Sequence, residues 1–179
     1  ATGATVPRAW SGLTYPENQA EYPVVTVSWH GAYAYCAWLS EVTGLACRLP
    51  TEAEWERAAR GDDSRIYPWG NDFNPFRANT AEAFTRGPTP VRRHSPTGDS
   101  PFGVMNLSGN VWEWTSSRLA PYPYDPADGR EDPKAPGLRV VRGGAWMYSR
   151  RLARCAVREG APPDINSNTI GFRIAISYG

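Results

Sequence analysis

Hydrophobic and polar positions recur with a helical or a two-residue period over only a few short stretches of this chain, and polar runs rich in Pro and Gly separate them. Residues 1–22 carry no period and read as a covering loop. Residues 23–28 are β-branched at Val24, Val25, Thr26 and Val27, which predicts a strand ending at Ser28, a residue suited to cap a helix. Over 31–42, Tyr35, Trp38, Leu39 and Val42 fall at helical spacing with Gly44 behind them. That spacing predicts a helix with an aromatic face turned inward and a glycine cap. Thr51, with Glu54 three residues on, forms a capping box, so a second helix should run from there to the stop at Gly61.

After Gly61 the pattern lapses, and 62–105 reads as long loop with short strands at best, the kind of segment that is functional or tied down. Regularity returns at 106–114, where Asn106, Asn110, Glu113, Gly109, Trp112 and Trp114 crowd together. If the run is extended from Val111 onward, Val111 and Glu113 share one face while Trp112 and Trp114 share the other. Residues 118–137, rich in Pro, Asp and Tyr, should form a surface loop. Residues 138–142 predict a strand broken by Gly143 and Gly144, residues 170–176 predict the last strand, and 145–169 between them is irregular with one basic patch.

Composition narrows this picture. A chain of 179 residues is one domain by length and can bury a real core. Lys and Arg number 19 against 18 Asp and Glu, so no net field steers it to nucleic acid or to an acidic membrane. Seventeen Gly, 17 Pro and eight Trp beside two Met argue against a helical bundle and for loops held by aromatic packing. Cys36, Cys47 and Cys155 lack metal spacing and allow at most one disulfide; a reduced, buried trio is the simpler expectation. No apolar run of about 18 residues and no charged-then-apolar leader is present, which predicts neither a membrane span nor a secretion signal. A start at Ala1 instead of Met reads as a processed or excised piece.

The densest candidate chemistry is at 106–114. Asn106 and Glu113 offer hard oxygen atoms, and Gly109 lets the turn fold tightly enough for carbonyls to join them, the ligand type that Ca²⁺ takes. The alternative is a strand with a solvated Glu and two core indoles.

Six segments in one order carry a family resemblance. They are Pro23-Val24-Val25-Thr26-Val27-Ser28-Trp29, Arg48-Leu49-Pro50-Thr51-Glu52-Ala53-Glu54-Trp55-Glu56, Pro68-Trp69-Gly70, Gly109-Asn110-Val111-Trp112-Glu113-Trp114, Arg142-Gly143-Gly144 and Gly171-Phe172-Arg173. Together they resemble the formylglycine-generating enzyme, or sulfatase-modifying factor, family over about residues 22–176. The resemblance implies an α+β, C-type-lectin-like fold: one domain over 1–179 with two helices, small twisted antiparallel sheets and much irregular loop. It also implies that the family's N-terminal strand segment is missing here, which would leave a sheet edge needing cover. It further implies calcium held by the side chains of Asn106 and Glu113 and the carbonyls of Gly109 and Val111. A second family calcium site would begin at Asn79 and Thr80, but its completing loop is shortened between Arg86 and Val91.

The family's oxidases hold copper with two thiolates a few residues after the Gly-Gly pair, and soft Cu(I) needs such ligands. Here 145–154 contains no cysteine, and Cys155 resembles a non-catalytic cysteine of the family. Related sulfoxide synthases use three histidines for iron, whereas this chain has only His30 and His94. Neither chemistry is expected to survive. Non-catalytic relatives, such as the variable proteins diversified by retroelements, bind ligands between the Gly-Gly strand and the last strand. By that resemblance the expected surface is Trp146, Met147, Tyr148, Ser149, Arg150 and Arg151, with Glu159, Gly160, Ala161, Ile165, Ser167 and Thr169. The expected function is a non-catalytic binding domain on a calcium-stabilised fold, of variable-protein type, taking a protein or small-molecule ligand at this C-terminal surface. The alternatives are a formylglycine-generating oxidase acting on protein cysteine, or a regulatory module of a larger protein.

Overall fold

The structure is a computed structural model that describes residues 6–177 apart from 8, 9 and 13. Its elements are α1 (Trp29–Thr43), β1 (Ala46–Arg48), α2 (Glu52–Arg60), β2 (Trp112–Arg118), β3 (Arg139–Arg142), β4 (Arg158–Ala161), β5 (Ile170–Phe172) and β6 (Ala175–Ser177), with one 3-10 turn at Ala81–Ala83. Both helices begin and end where their sequence signals stand. Ser28 Oγ accepts from the Gly31 N–H (3.1 Å), and Gly44 in the left-handed region closes α1. The Thr51 and Glu54 capping box forms in full at the head of α2.

The face that α1 buries differs from the expected one. Trp29, Ala32 and Cys36 point inward, while Tyr35, Trp38 and Val42 are 43%, 40% and 61% exposed. Small residues at 32 and 36, with Trp29, make up the face of the helix that enters the core. The outer aromatic face continues onto exposed Leu45 and Ile176.

Two small sheets share the core. One is the antiparallel pair β1–β6, and the other has the order β4-β3-β2-β5. Its β2–β5 pair is parallel (Glu113 opposite Gly171), so the expectation of purely antiparallel sheets is corrected to a mixed arrangement. The expected strand at 23–28 does not form. Thr26 takes a left-handed φ of 58°, and its N–H donates to the Ser167 carbonyl. The expected last strand divides at Arg173 into β5 and β6, which belong to different sheets, and β4 arises inside the segment expected to be irregular.

Trp29, Trp112, Trp114, Leu49, Val141 and Ile170 form the main core, and Trp55, Ala59, Leu107 and Cys155 a second cluster beside it. Two of these indoles have their polar atoms paired: Trp29 Nε1 donates to the Thr115 carbonyl (2.8 Å) and Trp114 Nε1 to that of Val27 (3.0 Å). Buried charge is paired as well. Glu52, fully buried at the start of α2, receives Nε and Nη2 of Arg158 at 2.5 Å each and lies 3.4 Å from Arg142 Nη1.

Glu113 is the second such carboxylate. It accepts from Arg173 Nε (2.5 Å) and Nη2 (2.6 Å) and from Trp55 Nε1 (2.5 Å). It therefore joins β2, α2 and the break between β5 and β6. Removing one partner of a buried ion pair leaves an uncompensated charge, so Arg173→Met should cost about 3–5 kcal/mol in urea denaturation. The double variant Arg173→Met/Glu113→Gln should recover part of that loss. A single-variant cost under about 1 kcal/mol would mean that Glu113 does not depend on Arg173.

Candidate functional site

The turn that feeds β2 is built from left-handed backbone at Asn106 (φ 57°), Gly109 (φ 77°) and Asn110 (φ 68°). Gly109 is required, because a Cβ there would stand 2.2 Å from the Asn79 carbonyl oxygen. Asn110 is buried; its Oδ1 accepts from the Thr89 N–H (2.8 Å) and Asn79 Nδ2 (3.0 Å), and its Nδ2 donates to the Thr89 carbonyl (3.1 Å). The 106–111 turn and the 79–89 loop are thus one hydrogen-bonded unit.

All four residues expected to hold calcium lie on this turn or its exit. Among the described residues nothing donates to Asn106 Oδ1 or to the carbonyls of Gly109 and Val111, while Asn106 Nδ2 donates to the Val91 carbonyl (2.6 Å). Glu113 is neither solvated nor free, since Arg173 already balances its charge. The set is oxygen-only, which fits a hard cation in donor chemistry. No group of three or more His, Cys, Asp or Glu is gathered among the described residues, so softer metals have no comparable set. The residues where the family's second calcium site would begin are engaged elsewhere. Asn79 Oδ1 accepts from Thr85 Oγ1 (2.5 Å), its Nδ2 donates to the Gly87 carbonyl (3.0 Å), and Thr80 Oγ1 donates to Glu82 (2.7 Å).

Beyond β3, Gly143 and Gly144 bring the chain back over this unit. The Trp146 N–H donates to the Asn110 carbonyl (3.0 Å), and the Tyr148 carbonyl accepts from the Ala81 N–H (3.0 Å). The Arg150 N–H reaches both Glu82 oxygens, at 3.0 and 3.1 Å. Burial alone would raise the Glu82 carboxyl, but the hydrogen bonds from Thr80 and Arg150 outweigh it and hold it below the ordinary range. The Tyr148 ring lies edge-on to Trp112, centroids 6.2 Å apart, and the Arg150 guanidinium stands 5.5 Å over Phe73. Phe73 packs in turn on Tyr67, which stacks on Trp69. Met147, Tyr148, Ser149, Arg150 and Arg151 are exposed, whereas Trp146 is half-buried with its Nε1 lacking a partner among the described residues.

The rest of the expected ligand surface does not join this patch as one face. Glu159, Gly160 and Ala161 sit on β4, the opposite edge of the sheet from β5. Glu159 is exposed and Ala161 buried, and a Cβ on Gly160 would meet the Leu119 side chain at 2.6 Å. Ile165 and Ser167 lie on a turn packed against 24–29, with the Ser167 carbonyl accepting from Thr26 N–H (2.9 Å). Thr169 is buried, its carbonyl accepting from the Trp112 N–H (2.8 Å). Ala161 and Thr169 are therefore corrected from surface to core, because the ladder partners of β4 and β5 cover them. Sequence reasoning missed Phe73, Glu82, Phe84 and the role of Asn79. The Pro68-Trp69-Gly70 motif and the Asn79-Thr80 pair were the only signals pointing there.

Two open clefts of about 440 and 540 Å³ lie elsewhere, one lined by Arg57, Arg60, Tyr122 and Tyr124, the other by His30, Leu138 and Pro163. The first is lined by charges already paired, Arg60 with Glu56 and Arg57 with Asp62. His30 lies 3.4 Å from Asp164, while His94 Nδ1 is 2.9 Å from the Phe76 carbonyl, so the two histidines serve different contacts. The three thiols are free and buried. Burial pushes Cys155 up to about 12, and burial with the neighbouring Cys47 pushes Cys36 up to about 11.

Residues 2–178 match the family described as sulfatase-modifying factor enzyme 1-like domain. The chain is 41% identical over 178 residues to the inactive C-alpha-formylglycine-generating enzyme 2 of Bos taurus, covering 90% of this chain and 52% of that protein. It is 35% identical to the formylglycine-generating enzyme of Bos taurus, over 90% of this chain and 46% of that protein. The chain thus spans about half the length of the curated relatives it matches. Among solved structures it superposes on Treponema denticola variable protein 1 with a TM-score of 0.76 at 24% identity, over 90% of this chain and 73% of that one, a likeness of fold.

Nucleophilic or copper-binding sulfur must be thiolate, and burial holds the Cys36 and Cys155 thiols neutral in the folded protein. Iodoacetamide at pH 8 should leave Cys36 and Cys155 unmodified in the native state and label both on unfolding, as read by mass spectrometry. Rapid labelling of either in the native state would contradict the burial described.

Proposed function

The chain belongs to the sulfatase-modifying factor enzyme 1-like domain family, and on that premise we propose that it is a non-catalytic member that binds a ligand through the exposed turn at 145–151. The observation that supports this reading most is the contrast between the turn and its frame. The backbone of 146–150 is pinned by hydrogen bonds to Asn110, Ala81 and Glu82, while Met147, Tyr148, Ser149, Arg150 and Arg151 stand in solvent. Where an oxidase of this family needs a thiolate pair, this turn carries Met147, Tyr148 and two arginines. Aromatic and Arg side chains give large contacts at modest entropy cost, and a fixed backbone lowers the cost of ordering them. Ile165 and Ser167 lie on a separate turn packed against 24–29 and are outside the proposed contact. The likeness of this chain to a protein named as inactive agrees with this reading, and its likeness to one named as an enzyme is why it needs a test.

Within this reading calcium is a structural ion on the 106–113 turn, with Asn106, Gly109, Val111 and Glu113 as ligands. It would join the backbone carbonyls of the turn and leave Glu113 shared with Arg173. Diversification of the 145–169 segment by a retroelement is the fuller form of the proposal.

Cu(I) titration with oxygen consumption on a cysteine-containing peptide separates binding module from oxidase. No stoichiometric tight copper and no turnover are expected; turnover would replace the binding reading with the oxidase one. Calcium has its own readout. An ion that binds only the folded state at about 100 times its Kd adds about 2.7 kcal/mol, so chelation should lower the melting temperature by several degrees. An unchanged melting temperature at saturating chelator would mean that Glu113 serves Arg173 and Trp55 alone.

A further inference from the structure

Charge is distributed unevenly over this nearly neutral chain. Residues 81–95 contribute Arg86, Arg92 and Arg93, and residues 145–154 contribute Arg150, Arg151 and Arg154, with Glu82 the only carboxylate in either segment. The two segments therefore carry more positive charge than the net +1 of the whole protein. All of these arginines are exposed, and none has a carboxylate within ion-pair distance among the described residues. Elsewhere the arginines are mostly matched, as Arg48, Arg57, Arg60, Arg65, Arg130 and Arg158 each pair with an acid.

The two basic segments are neighbours in space, joined by the Ala81 N–H to the Tyr148 carbonyl and by Glu82 to the Arg150 N–H. Apolar side chains on the same segments are exposed as well: Phe84 is 86% exposed, Met147 51% and Tyr148 36%. Phe84 and Arg86 are also held in the left-handed region, at φ 54° and 61°, a conformation that costs a non-glycine residue free energy. Buried Asn79 maintains it by bonding Thr85 Oγ1 and the Gly87 carbonyl on either side of Arg86. A strained loop presenting an exposed ring and an unpaired guanidinium, fixed from beneath by a buried amide, is organised toward something outside the chain.

We propose that the face built by the 81–87 loop and the 145–154 turn docks an acidic polypeptide segment carrying an apolar side chain, the arginines meeting its carboxylates and Phe84, Met147 and Tyr148 its apolar group. The proposal rests on the binding reading above and names the partner's chemistry. Arg pairs with carboxylates in a planar fork, so carboxylate spacing contributes specificity, and the unpaired charge speeds encounter. A polypeptide suits the mixed face better than a nucleic acid does, since isolated apolar anchors on the same segments as the arginines match alternating acidic and apolar side chains. A regular phosphate backbone would instead call for a continuous basic stripe.

The test uses fluorescence anisotropy with three labelled probes at low and high salt. They are a Glu-rich decapeptide with one central Phe, the same peptide with every Glu replaced by Gln, and a single-stranded oligonucleotide of equal charge. The acidic peptide is expected to bind at least tenfold more tightly than the Gln peptide, to weaken with salt, and to outcompete the oligonucleotide. Arg86→Glu and Arg151→Glu, both exposed and unpaired, should each weaken it several-fold with unchanged circular dichroism and melting temperature. Phe84→Ala should weaken both peptides alike. Equal binding of the two peptides, stronger binding of the oligonucleotide, or no binding of any probe would overturn the proposal. The underlying binding reading would survive each of these results and fall only to copper-dependent turnover.

Discussion

A buried carboxylate whose charge is answered on every side organises this molecule. Glu113 sits in the middle of the sheet, where low dielectric makes an unpaired charge very costly, and Arg173 and Trp55 supply three N–H donors to its two oxygens. Each partner comes from a different part of the chain. Arg173 occupies the short break between β5 and β6, so meeting Glu113 is what turns the last stretch of chain from one sheet into the other. Trp55 fixes α2 against the same point. Glu52 with Arg142 and Arg158 repeats the device where α2 meets β3 and β4. In a fold with two helices, short strands and many loops, directional buried pairs specify an arrangement that apolar packing alone would leave loose.

This frame reaches the surface through amides. Asn110 and Asn79 are buried and fully bonded, and between them they set the 79–89 loop, the 106–111 turn and, through the Asn110 carbonyl, the 145–151 turn. The side chains on top of that frame are large, exposed and mostly unsatisfied by the protein itself. Rigid support beneath with adaptable contacts above is the arrangement recognition favours, because little conformational freedom remains to be lost on binding. The three thiols lie buried, and burial raises Cys36 and Cys155.

Much of the scaffold was legible where a local signal decides the structure. The Ser28 and Gly44 caps, the Thr51 and Glu54 box and the Gly143-Gly144 break each act within a few residues, and each stands where the sequence placed it. The errors came where tertiary contact overrides local pattern. Helical spacing marked Tyr35, Trp38 and Val42 as one face of α1, but spacing alone cannot say which of two apolar stripes goes inward. Residues 23–28 are β-branched, yet Thr26 turns left-handed to reach Ser167. The parallel pairing of β5 with β2 brings together residues nearly 60 apart, as the pairing of Glu113 with Gly171 shows, and no local pattern encodes it. Of the candidate site, the 145–151 turn could be read from the Gly-Gly break, whereas the burial of Ala161 and Thr169 depends on ladders visible only in three dimensions. The links from Asn79 to Thr85 and Gly87 were hidden for the same reason.

The residues offered for recognition are carried by a frame that does not need them. A variant with Met147, Ser149 and Arg151 all changed to alanine tests this by thermal unfolding. The expected result is a single cooperative transition within about 4 °C of the parent, corresponding to about 1 kcal/mol or less for a chain of this size. A fall of tens of degrees, or loss of cooperativity, would show that these side chains hold the fold together and would contradict the claim.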